Sequence, residues 1–403
     1  MKPLVLVGGC GAVGSWLIPS LDETVALLCA DRDIIAPENL GVAAFDAAAH
    51  LDPQRAQHAR RSADPQRSAD AQNAADVTDA SGASPLLGRK KAEVVAERHR
   101  ARGGWAYALH GDVRYTLTPG LASRLDAAVV CFDNASAFRD VSEVLWSAAR
   151  PGIPILAVTC GGGDDEHWQV RLFATGGLCP ACMQSPAERQ EGTSSTRASC
   201  AAAEAPRASA RAAEAAGRAG ASLLARVMAG ERSLVGRRLQ RDGREAAPWS
   251  VRMPEAAVPG CPIPHGRETW RIEELLQGVD DLTVGALAER ARDLAGMDAT
   301  FVLGRRALPL AGFTCPQCKH ASGAPELLLP AAAALARACD CPGVLRPLGE
   351  RRTITAHELV GGPMRDTSLR AWGASPGDGF LVTGAEATVE LRCRLTWEEL
   401  DRG

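Results

Sequence analysis

At 403 residues the chain has room for two domains, or for one large and one small. Its net charge of −3 excludes a global basic field of the kind that attracts nucleic acid. No apolar run reaches the roughly 18 residues of a membrane span. Apolar residues make up 46%, enough for a real core, and thirteen cysteines with no signal peptide point to a reducing, cytoplasmic setting with metal or thiol chemistry.

"LVLVGGCGAVGSWLIPSL" opens the chain as a buried strand, a glycine turn and a helix. Gly9, Gly11 and Gly14 fall in G-x-G-x-x-G spacing, which lets backbone approach a phosphate at a helix start. "TVALLCAD" predicts a second strand ending at Asp31, placed to hold a ribose hydroxyl. These features alone fit NAD, FAD, SAM or ATP. Residues 46–85 carry almost no large apolar side chain and repeat "DPQR"; they read as a mobile insertion.

Beyond it, "EVVAERHRARG" predicts a helix and "WAYALHGDV" a strand. "DAAVVCFD" is a buried strand, "AFRDVSEVLWSAAR" a helix, and "PILAVTC" and "HWQVRLFA" two more strands. This alternation predicts an α/β, Rossmann-like fold with a mostly parallel sheet flanked by helices. "APRASARAAEAAGRAGASLLARVMAGE" is a small-residue helix able to pack closely on that sheet. A boundary near residue 268 separates residues 1–267 from a smaller α+β region, 268–403. There "DLTVGALAERARDLAG" predicts an amphipathic helix. "PGDG" predicts a turn before an apolar strand, and "TVELRCRL" a half-exposed strand.

Four further motifs follow the glycine turn in order. Asp31, Asp33 and Asn39 lie in "CADRDIIAPENL"; Lys91 lies in "GRKKAEVV"; Asp133, Asn134 and Arg139 lie in "VVCFDNASAFRDV"; Cys179 and Cys182 form "CPAC". The order resembles the ubiquitin-activating superfamily, the ThiF, MoeB and HesA type of adenylating enzyme, over about residues 3 to 265. The resemblance implies attack by the C-terminal glycine carboxylate of a ubiquitin-like or sulfur-carrier protein on the α-phosphate of ATP. Gly9, Gly11 and Gly14 would cradle phosphate and Asp31 would hold the ribose. Asp133 would coordinate Mg²⁺, Lys91 would neutralise phosphate charge, and Asn39 and Arg139 would position ATP or the local loops. A homodimer is also expected.

Two departures stand out. Where the family has N-L-x-R, this chain has "NLGV", so Val42 replaces an arginine; and no helical arm precedes the first strand. Arginines 55, 60, 61 and 67 of the insertion are candidates to restore that charge. For zinc, the family pairs C-x-x-C with a second such pair; here "CPIPH" gives Cys261 and His265 in C-x3-H spacing. Cys179, Cys182, Cys261 and His265 are expected to form one Zn²⁺ site stapling the crossover helix to the sheet. Cys315 and Cys318, with Cys339 and Cys341, read as a second, ribbon-like site; cross-pairing of Cys179 and Cys182 with Cys315 and Cys318 is the competitor. Cys200 lies where some members carry an acyl-accepting thiol. Rival functions are an NAD(P)-dependent oxidoreductase and a non-catalytic binding scaffold.

Overall fold

The structure is a computed structural model. It describes residues 2–45, 84–111, 113–132, 135–161, 167–183, 208–243, 247–254, 258, 261, 263, 265, 271–303, 308–309, 313–314, 318–322, 346–347 and 350–395.

The apolar runs form the strands that their composition predicts. β1 (Leu4–Gly8) is buried at every position and leads through the glycine turn into α1 (Ala12–Leu17). β2 (Ala26–Asp31) is likewise buried throughout, and a one-turn helix, α2 (Pro37–Leu40), follows. α3 (Lys91–Ala101) and β3 (Trp105–His110) complete the first half. Two short helices, α4 (Val113–Thr116) and α5 (Pro119–Arg124), precede β4 (Ala127–Val130). Then come α6 (Ala135–Ala148), β5 (Pro154–Cys160), β6 (His167–Ala174) and the long α7 (Ala210–Met228). A hairpin that hydrophobic patterning does not foretell, β7 (Arg237–Asp242) and β8 (Trp249–Arg252), closes the sheet.

The eight strands lie in the order β3-β2-β1-β4-β5-β6-β7-β8. Those from β3 to β5 run parallel, whereas β6, β7 and β8 pair antiparallel. The fold is therefore α/β and Rossmann-like with a mixed sheet, and helices cover both faces. On one face α1, α3 and α7 pack over Val5, Val7, Leu27 and Val158; on the other α6 packs over Leu6, Leu28 and Ile155. α7 reaches α1 through its small residues: a Cβ on Gly217 would lie 2.7 Å from Leu17 N, and one on Gly220 3.0 Å from Val158. Such approach needs glycine.

A second sheet has the order β16-β10-β17-β18-β9. It consists of β9 (Arg271–Glu274), β10 (Thr300–Val302), β16 (Thr353–Thr355), β17 (Gly379–Thr383) and β18 (Thr388–Arg392). β9 and β18 are parallel, the other pairs antiparallel. Five two-residue strands lie between β10 and β16: β11 (Leu308–Pro309), β12 (Phe313–Thr314), β13 (Ala321–Ser322), β14 (Arg346–Pro347) and β15 (Glu350–Arg351). α8 (Val284–Ala295) and α9 (Ala356–Gly361) cover one face, with Phe301, Phe380 and Trp372 at the centre of the core. β18 is more buried than its alternation predicts, with Val389 to Arg392 all inside, because Arg392 pairs with the neighbouring Glu390 at 2.9 Å.

The two sheets are joined by hydrogen bonds to main-chain carbonyls. Gly120 N donates to Gly377 O at 2.8 Å, Thr118 Oγ1 to Pro376 O at 3.1 Å and Arg124 Nη2 to Leu395 O at 2.7 Å. Among the described residues no helix is long and apolar enough to cross a membrane.

Candidate nucleotide site and metal centre

Strand order reverses between β1 and β4, and the crevice at such a switch point is where open α/β sheets take ligands. The glycine turn sits there. Gly9 has φ +86°, and a Cβ on it would lie 2.8 Å from the main chain of Cys131 at the end of β4. Cys131 N donates to Gly8 O at 2.6 Å, so the turn and the β4 terminus touch. Gly14 is equally constrained, because its Cβ would lie 2.0 Å from Gly9 O. Gly11 is the exception. Nothing lies within 4 Å of the position of its Cβ, leaving an open face on the turn.

Asp31 ends β2 beside this opening. Its Oδ2 accepts from Cys10 N at 2.7 Å and its Oδ1 from Asp33 N at 2.8 Å. The carboxyl is buried, and that burial, aided by the charge of Asp33, pushes its pKa up to about 6; Lys91 and the two N–H donors oppose the shift. An acid raised in this way favours the fold while protonated and loses that contribution as pH rises from 3.8 through about 6. At neutral pH the ionised Asp31 costs the fold about 3 kcal/mol. A ligand hydroxyl donated to it offsets part of that cost.

Lys91, at the start of α3, is buried, and its Nζ lies 3.5 Å from Asp33 Oδ2. Its main-chain N donates to Asp33 O at 3.0 Å, tying the α3 start to the loop after β2. Gly9, Gly11, Asp31, Asp33 and Lys91 are thus brought together at one sheet edge. Asn39 is not drawn in: its Oδ1 accepts from Ala36 N at 2.9 Å and caps α2. Val42 is tied back by its carbonyl, which accepts from Trp16 Nε1 at 2.9 Å. Arg139 is half-buried on α6. Asp133, Asn134 and Cys200, and the arginines of residues 46–83, lie outside the described residues; so the Mg²⁺ reading rests on a position two residues past Cys131.

Sequence reading passed over His110. It ends β3 in register with Asp31, the strand position at which β2 places its acid. A polar residue closing an otherwise apolar strand is the signal that marks it.

The candidate metal centre lies on the α6 face. Cys179 precedes, and Cys182 lies within, a 3-10 turn (Pro180–Met183) after β6, and both face Cys261 and His265 from the segment after β8. The four donor atoms lie within 4.8 Å of one another. Cys179 Sγ is 3.8 Å from Cys182 Sγ and 3.6 Å from Cys261 Sγ, and Cys182 Sγ is 3.2 Å from His265 Nε2. Sulfurs about 2.3 Å from a tetrahedral zinc stand at such separations, so the donor set fits the ion. His265 Nδ1 meets Gly177 O at 2.7 Å, which turns Nε2 toward the thiols. Burial, then the Cys182 and Cys261 charges, push the Cys179 thiol well up.

One expectation is corrected here. The cluster does not staple the long helix, because α7 packs on the opposite face; it ties the chain leaving β8 to the chain leaving β6. Among the described residues Cys261 and His265 face Cys179 and Cys182, whereas Cys315 of the competing pairing lies outside the described residues. Of the proposed second site only Cys318, exposed, is described; Cys315, Cys339 and Cys341 lie outside the described residues.

No protein-family model matches the sequence, and no curated protein matches it. Solved structures do resemble it. E. coli MccB with ATP is 16% identical, covering 65% of this chain and 66% of that one, with a TM-score of 0.41. The microcin C7 biosynthetic enzyme MccB with N-formylated MccA is 14% identical over 65% of this chain and 67% of that one, TM-score 0.40. PaaA is 12% identical over 62% and 64%, TM-score 0.39. The chain thus spans about two thirds of the length of these structures, and the likeness is one of fold alone.

Proposed function

We propose that the chain is an ATP-dependent adenylating enzyme acting on the C-terminal glycine carboxylate of a small ubiquitin-like or sulfur-carrier protein. The observation that carries this reading is the open face at Gly11, flanked by buried Asp31 and by Lys91, at the switch point of the sheet. The glycine turn receives the triphosphate, Asp31 takes the ribose hydroxyls, and Lys91 sets a positive charge beside them. The substrate carboxylate attacks the α-phosphorus, the bond to the β-phosphate breaks, and pyrophosphate leaves with the negative charge. Because Val42 supplies no cation, Lys91 carries more of the load. Mg²⁺, held by Asp133, would screen the phosphates. Zinc in the Cys179–Cys182–Cys261–His265 set serves the fold. Cys200 is the candidate acceptor should the acyl group move on as a thioester.

ATP–pyrophosphate exchange tests the reading. Exchange is expected only with a carrier protein ending in Gly-Gly, and Lys91→Ala should slow it by roughly a hundredfold. ATP binding without exchange, for any such carrier, would leave a scaffold; NADH binding with ATP refused would leave an oxidoreductase.

Asp31 gives a second check. Only its ionised form accepts two ribose hydroxyls, so ATP affinity should fall up to about tenfold per pH unit below about 6. Calorimetry of wild type against Asp31→Asn isolates that slope from the titration of ATP itself. In the variant the slope should vanish and affinity should be low at every pH.

A further inference from the structure

At the end of the first sheet away from the glycine turn, α3 closes on the segment that joins α1 to β2. His99, in the last turn of α3, is buried there with both ring nitrogens engaged. Nε2 lies 2.9 Å from Val25 O, and Nδ1 lies 3.0 Å from Arg102 Nη2. A carbonyl only accepts and a guanidinium only donates. The two contacts together therefore fix a neutral ring, with its proton on Nε2 and a lone pair on Nδ1. Arg102 is a clamp. Its Nη2 also donates to Ile18 O at 2.9 Å, and its Nη1 donates to Pro19 O at 2.7 Å and to Leu21 O at 3.4 Å. These carbonyls lie in, or just after, the 3-10 turn Ile18–Ser20 that ends α1. A side chain at Gly104 would overlap the His99 ring, so the imidazole is fitted against main chain with no room to turn away.

We propose that His99 locks the Arg102 clamp and that acid unlocks it: a proton taken up at Nδ1 releases the junction of α1 and β2. Such a proton replaces the lone pair with an N–H aimed at a guanidinium 3.0 Å away. Two donors and two positive charges then face each other where water is largely shut out. The ring is confined, so the guanidinium moves, and its bonds to the three carbonyls break. Burial depresses the imidazole pKa from its ordinary 6.5; the bond to Val25 O and the charge of Glu23 oppose that, while Arg102 and Lys2 add to it. Asp22 and Glu23 in turn hold Arg102 in its charged form. With the clamp open, the ring regains its ordinary affinity for a proton. A histidine depressed in the closed form supports that form above pH 6.5 and withdraws its support as pH falls below it, so opening gains up to about tenfold per pH unit. The lock is independent of the nucleotide reading. What it releases is the far end of the element that carries the glycine turn.

Hydrogen exchange of the full chain, corrected for the intrinsic rate at each pH, reads the junction at residues 18–25. Between about pH 7 and about pH 5, wild type is expected to lose at least about tenfold in protection there, while β5 keeps its own. His99→Gln retains a donor for Val25 O and has no titrating ring, so its protection should hold over the same range. Asp31 is common to both chains, and its titration cancels in the comparison. NMR of wild type labelled at histidine gives a second reading that needs no stable variant at position 99. The His99 ring should show the Nε2–H tautomer and titrate below 6.5, and in Arg102→Gln its midpoint should rise. A His99 that titrates at or above 6.5 in wild type, or an equal loss of protection in His99→Gln, would overturn the lock.

Discussion

Cys179→Ser should remove one equivalent of zinc per chain, measured by elemental analysis, and lower the melting temperature by on the order of 10 °C. The reason is what the metal leaves behind. Three sulfurs and an imidazole converge within 4.8 Å in a pocket that also buries Leu178, Met253 and Ile263. With zinc, the thiolates are neutralised and the tail after β8 is tied to the loop after β6. Without it, ionised sulfur has no counter-charge in an apolar wall, and the thiols must protonate and spread. Chelation of the wild-type protein should reproduce the loss. A melting curve indifferent to chelator and to Cys179→Ser would mean that the four residues hold no metal in solution.

The second large effect separates fold from function within a single turn. Gly14→Ala would place a methyl 2.0 Å from Gly9 O, a backbone atom that cannot swing aside. The turn must open, and a cost of roughly 3 kcal/mol or more is expected, read as a lower midpoint in urea. Gly11→Ala should behave otherwise. Its φ is −78°, a value open to any residue, and no atom lies within 4 Å of the added methyl. The midpoint should hardly move, while ATP affinity falls at least tenfold because the methyl takes space meant for phosphate. If both variants were equally unstable, or if Gly11→Ala bound ATP as wild type does, the open face would not be the nucleotide cradle.

Much of the fold was legible because burial wrote it into composition. Leu4 to Val7, Leu27 to Ala30 and Ala127 to Val130 are apolar at each step, since both faces of those strands are covered. The β7–β8 hairpin was not legible. Its strands read "RRLQRD" and "WSVR", and they lie largely in solvent. Their pairing is signalled by polar contacts, Arg237 with Ser250 and Trp249 with Asp242, which no hydrophobic period reveals. At the sites, the metal set could be read because thiol spacing is itself the chemistry. The glycine turn could be read as a turn, but not the contrast between Gly11 and Gly14, which depends on what stands opposite each. His110 was passed over because only the strand register sets it beside Asp31.

The pairing of β9 with β18 sets a clock on synthesis. Arg271 is joined to Val389 and Glu274 to Arg392, so a ribosome delivers the first strand of the second sheet long before its neighbour. Until then β9 waits as an open edge, and α5 waits as well, because Thr118, Gly120 and Arg124 find their acceptors only at residues 376, 377 and 395. A nascent chain halted before β18 should thus be the species most exposed to proteases and chaperones. The segment around residues 376–395 acts as the latch for a helix made hundreds of codons earlier.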